Sequence, residues 1–141
     1  MKAHYSLRFA AFCYAFLTLG HSAGMAAPSS GPEEDRVVAA MKSWTFDAMG
    51  TPRTVFDFFR GEGFYLSVFA LLMTVLCWQV GNLGRRDPAS ARSLILSLLG
   101  ASLASTALCY QWFFAAPLVS SLLGSLGLGL GWFLLGRTEA R

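Results

Sequence analysis

The feature that most restricts this chain is where its charges stop. From Gly63 to Gly84, 22 residues pass without an acid or a base, and from Ser93 to Gly136 another 44 do so. A helix rising about 1.5 Å per residue needs roughly 20 apolar residues to cross a hydrocarbon core of about 30 Å. The first run is therefore one span. The second is too long for one and is interrupted by Gln111, Trp112 and Pro117, so it predicts two spans joined by a tight turn. The rings of Tyr110, Trp112, Phe113 and Phe114 beside that turn suit the membrane interface. A soluble domain carries about 25% charged residues. This chain has 13%, with 55% apolar, which excludes an ordinary water-facing surface. Its 14% aromatic content excludes disorder as well.

The first apolar segment supports two readings. Lys2 and Arg8 precede the run from Phe9 to Gly20, and small residues follow as far as Ala27 and Pro28, the order of a secretory signal. A cut after Ala27 would leave Pro28 adjoining it, and a cut after Ala26 would set Gly24 at the outer position, so neither makes a clean cleavage site. As a membrane helix the segment runs from about Leu7 to about Ala26, with His21 near its end, and a retained anchor is the expectation. The chain then reads as a single integral membrane domain over 1–141, with spans at about 7–26, 63–84, 93–112 and 117–136.

Charge sorts by connection. Lys2, Arg8, Arg85, Arg86, Arg92, Arg137 and Arg141 stand against Asp87 and Glu139 in one set of segments, a net +5. The segment 28–62 carries four bases against six acids, a net −2. By the positive-inside rule both termini and the Arg85–Arg92 link lie in the cytoplasm, and 28–62 faces outward. The lipid bilayer is the expected partner. A second membrane protein or another copy of the chain stays open, and nucleic acid is not expected.

The outward segment carries most of the polar chemistry. Ala27–Pro32 is a linker by composition. Glu33, Glu34 and Asp35 then favour a helix start, and Val37, Ala40, Met41, Trp44 and Ala48 recur at intervals of three and four. This pattern predicts an amphipathic helix on the outer face, ended by Gly50, Thr51 and Pro52. A helix restarting near Thr54 can run straight into the second span. On that geometry His21, Asp47, Arg53, Asp57, Arg60 and Glu62 can gather at the outer mouth of the bundle. At the membrane edge such groups serve either as structural ion pairs or as a ligand or catalytic site, and the spacing selects neither.

Helices in lipid associate where small residues let backbones approach. The third span offers Ser93, Ser97, Ala101, Ser105 and Cys109 at four-residue spacing, and the fourth offers Ser120, Gly124, Gly127 and Gly131. The simplest expectation is that these two faces meet across the hairpin, with homodimerisation the alternative. Gln79 is expected to hydrogen-bond between helices. Cys13, Cys77 and Cys109 match no zinc or redox spacing and imply no disulfide framework, so they read as small apolar residues. No HExxH, CxxC, nucleophile elbow or phosphate loop is present, so no metal site is assigned and no cofactor is indicated.

The stretch from Met41 to Gly50, then Arg53, and Phe56 to Gly63, resembles the signature of a family of small, functionally uncharacterised bacterial four-span membrane proteins. His21, Trp78-Gln79 and Ala116-Pro117 extend the resemblance over nearly the whole chain. It implies a retained first helix and a four-helix bundle, and it carries no activity, substrate or cofactor. The sequence thus reads as all-α, a transmembrane four-helix bundle with an extra amphipathic helix between spans 1 and 2. The expected role is an accessory or interaction protein with an outward polar site. The alternative is a membrane-embedded enzyme or redox accessory using His21, Asp57 and Arg60.

Overall fold

In a computed structural model that describes residues 2–139, the elements run α1 (Ala3–Ala26), α2 (Pro32–Ser43), β1 (Thr45–Ala48), β2 (Thr51–Thr54), α3 (Val55–Leu83), α4 (Pro88–Trp112) and α5 (Ala115–Glu139). Arg141, one of the seven bases in the positively charged segments, lies outside the described residues. Helices α1, α3, α4 and α5 are each long and apolar enough to cross a membrane. The fold is an all-α four-helix bundle carrying a short fifth helix.

Neighbouring long helices run antiparallel, as short connections require. Helix α1 packs broadly on α3 and on α5, α5 packs on α4, and α3 meets α4 only lightly. The first helix is therefore central rather than peripheral. Leu7, Ala10, Ala11 and Tyr14 are buried in the same cluster as Met73, Cys77, Ile95 and Leu128. The outward sides of all four helices carry exposed Phe, Leu and Val, such as Phe12, Val68, Leu103 and Leu126. In lipid those side chains need no protein cover, because acyl chains are as apolar as leucine.

The packing differs from the sequence expectation at the glycine face of α5. Gly124, Gly127 and Gly131 turn toward α1 rather than α4. A Cβ on Gly127 would lie 2.9 Å from the Ser6 carbonyl oxygen, and one on Gly131 would lie 2.6 Å from Leu7 Cδ2. The groove left by missing side chains is filled by the bulk of Leu7 and Tyr14, which the small residues of α4 could not supply. Helix α4 instead meets the hydroxyl side of α5, where Ser102 and Thr106 hydrogen-bond Ser125 at 2.6 and 3.3 Å. Tyr14 completes the chain by a hydrogen bond to Ser102. Ser97, placed in the expected interface, is exposed, Ala101 and Ser105 are half-buried, and Ser102 is fully buried.

The outward segment also departs from expectation. Its helix stops at Ser43, and Thr45–Ala48 pairs antiparallel with Thr51–Thr54. The two-residue turn decides this. Met49 at φ 55° and Gly50 at φ 83° are both left-handed, the backbone of the turn whose twist suits a β-hairpin. Pro52 has no N–H for a continuing helix but is tolerated in a two-stranded ribbon. Pro117, expected in the connection between spans, sits in the first turn of α5, where N–H groups lack helical partners anyway.

Candidate functional site

The end of the bundle below α2 and the hairpin is its mouth, formed by the last turns of α1 and α4 and the first turns of α3 and α5. Helix α3 begins well outside its apolar run because Thr54 caps it. The Thr54 Oγ accepts the Asp57 N–H at 3.1 Å, and the Asp57 carboxylate accepts the Thr54 N–H at 2.8 Å. The Thr54 N–H and, at 2.9 Å, the Thr54 hydroxyl donate to the Asp57 carboxylate and hold it below its ordinary range. Asp57 is thus committed to the cap.

Arg60, one turn along, lies over the rings of Phe56 and Phe64, 5.8 and 5.1 Å from their centres. Arg53 donates to the Pro52 carbonyl at 3.1 Å. Asp47 stands across the hairpin from Pro52 and is exposed. Among the described residues, the one ion pair is Arg36 with Glu33 on α2, so the expected charged cluster is not knitted by salt bridges.

His21 and Glu62 do come together. The His21 Nε2–H donates to the Gly63 carbonyl at 2.9 Å, since a carbonyl can only accept. That bond assigns the Nε2 proton and leaves Nδ1 as the nitrogen available to another group. It also ties α1 to α3, and beside it the end of the Met25 side chain lies against Gly63, where a Cβ would come within 2.5 Å of it. Ser22 donates to Ser67 at 3.1 Å across the same seam.

Beside this tie the light contact between α3 and α4 leaves a cavity of about 500 Å³. Leu66 and Phe69 of α3 form one wall, and Leu108 and Cys109 of α4 with Phe113 just beyond it the other. Tyr14 and Leu17 of α1 and Ser121 of α5 lie at its base, and His21 and Glu62 at its edge. A second cavity of about 340 Å³ adjoins it and shares Leu17, His21, Met25, Leu66, Phe113 and Pro117. The volumes fall in the range of about 300–1,000 Å³ typical of ligand sites.

Sequence reasoning placed His21 and Glu62 at the mouth but missed the cavity and the Tyr14–Ser102–Ser125 hydroxyl chain beneath it. The available signal was weak, a few hydroxyls on otherwise apolar helices. Gln79, expected between helices, is exposed and lines a cleft at the opposite end. Among the described residues, no group of three or more histidine, cysteine or acidic side chains is arranged to hold a metal ion. No family model, no curated protein and no solved structure matches this chain.

Proposed function

We propose that this integral membrane protein is a non-enzymatic accessory protein that holds an amphiphile in the cavity between α3 and α4, with the polar head at His21 and Glu62. The observation that carries this reading is the composition of the site, a mostly apolar body with the hydroxyls of Tyr14, Ser105 and Ser121 in its lining and His21 and Glu62 at its edge. Such a lining suits a ligand whose chain leaves the bilayer while its head stays near water. The enzyme alternative has less support, because Asp57 is engaged in the α3 cap and Arg60 lies over two rings. A second membrane protein, or another copy of the chain, is the natural recipient of a ligand held this way.

We place the mouth on the outer side of a bacterial inner membrane, with both termini cytoplasmic. The support is the sorting of charge between the connections. Retention of α1 is part of the proposal and is supported by its central packing. We propose, too, that the chain resembles small bacterial four-span membrane proteins, on the residues from Met41 to Gly63.

The test is a fatty acid carrying a fluorescent tail, titrated into the purified protein in mild detergent. Binding should saturate, fall severalfold in His21→Ala, and be lost in Leu66→Trp, which fills the cavity. Binding that never saturates, or that survives Leu66→Trp unchanged, would refute the reading.

A further inference from the structure

The opposite end of the bundle carries a second site. We propose that it holds the phosphate headgroup of an anionic membrane lipid in the cleft between the start of α1 and the α3–α4 link. There Lys2, His4, Arg8 and Arg85 line a cavity of about 730 Å³ together with Leu134 and Leu135. Arg85 also borders an adjoining cavity of about 620 Å³, shared with Arg86, Gln79 and Asn82. Among the described residues, no acidic side chain lines either cavity. The nearby acid in the link, Asp87, is engaged elsewhere, accepting the Ser90 N–H as the cap of α4.

Cations drawn from two separate elements converge here, Lys2 and Arg8 from the start of α1 and Arg85 from the α3–α4 link. Lys2, Arg8, Arg85 and Arg86 outweigh the ionised Asp87 nearby, and that surplus of positive charge favours an anion between them. Phosphate suits the donors, because arginine presents its N–H groups in a fork that matches phosphate oxygens. Arg8 is held ready for this by lying 4.7 Å over the Trp78 ring. Its Nε is buried without a hydrogen-bond partner.

The position selects a lipid over free phosphate. Trp78 is an exposed indole at the end of a membrane-spanning helix, the depth at which such rings meet headgroups. Half-buried Leu134 and buried Leu135 give the cleft an apolar side, which an acyl chain can use and an inorganic ion cannot. Basic pockets between helices at a membrane surface are known headgroup sites, each Lys or Arg there contributing about 1 kcal/mol, or roughly fivefold in affinity.

Native mass spectrometry of the intact protein in detergent tests this, with dioctanoyl phosphatidylglycerol and dioctanoyl phosphatidylcholine as probes. Phosphatidylglycerol adducts should appear at about tenfold lower lipid concentration than phosphatidylcholine adducts. Arg85→Gln should reduce that preference about fivefold, and Arg85→Lys should keep most of it. Arg137→Gln, whose guanidinium lies over Phe133 outside both cavities, should leave it unchanged. Equal binding of the two lipids overturns the proposal. So does equal weakening by Arg137→Gln and Arg85→Gln, which would mean a diffuse field, or displacement of the lipid by millimolar inorganic phosphate, which would mean a free-phosphate site. Unchanged retention times on size exclusion show that each variant is folded, so a lost preference reports on the site.

Discussion

At the scale of single residues, the same amino acid does opposite things on one helix. Gly127 and Gly129 are two positions apart on α5, so they face different sides. A Cβ at Gly127 runs into the Ser6 carbonyl oxygen and Ala10, whereas one at Gly129 meets nothing within 4 Å. Gly127→Ala should therefore destabilise the bundle by about 1–3 kcal/mol, the usual cost of overpacking a tight contact. Gly129→Ala should be neutral or stabilising by up to about 1 kcal/mol, because alanine is the better helix former. Thermal unfolding of both variants in one detergent checks the pair, and equal shifts would contradict the α1–α5 interface. The sequence showed that these glycines mark a packing face. It did not show which helix fills the face, since small residues state that something approaches and not what.

Elements are decided by short-range chemistry, and here the record is mixed for a physical reason. The last three spans follow from uncharged length, and α3 starts outside its own where Thr54 and Asp57 can exchange hydrogen bonds. Thr54→Ala should cost about 1 kcal/mol, the ordinary worth of an N-cap, seen as faster amide exchange in the first turn of α3. The same cap gives a pH dependence. Hydrogen bonds to Thr54 lower the folded Asp57 pKa beneath its ordinary 3.8, so the unfolded chain takes up the proton first. The stabilisation is present above that ordinary value and is lost as pH falls through the lowered one. Protection of the amides in this turn, taken relative to the intrinsic exchange rate at each pH, should thus fall on acidification below about pH 4 in the wild type, and change less in Asp57→Asn. The hairpin was not legible as such. Val37, Ala40, Met41, Trp44 and Ala48 keep a helical period through a segment that turns back at Met49-Gly50, and periodicity cannot see two left-handed residues.

For the whole molecule, the position of α1 carries the greatest weight. A helix that supplies Leu7, Ala10, Ala11 and Tyr14 to the buried cluster cannot be removed without opening the faces of α3 and α5. The intact mass of the purified protein should accordingly match a chain that still contains residues 1–27. A mature start near Ala27 would refute the retained helix and the cavity together, since Tyr14, Leu17 and His21 line it. Sidedness is a separate matter. An alkaline phosphatase fusion at Gly84 should be inactive and one in the segment 28–62 active, if the basic end is cytoplasmic.

The sequence by itself determined how many times the chain can cross a membrane and how its charges divide between the ends, because both depend only on the order of charged and apolar residues. It also brought His21 and Glu62 to one end. Tertiary structure decided what those residues face. Whether α5 offers its glycines to α1 or α4, whether α3 and α4 close or leave a cavity, and whether Asp57 meets a ligand or Thr54 all turn on side-chain fit in three dimensions. Helical period places a residue on a face. Only the packed neighbours say whether that face meets lipid, another helix or an open site.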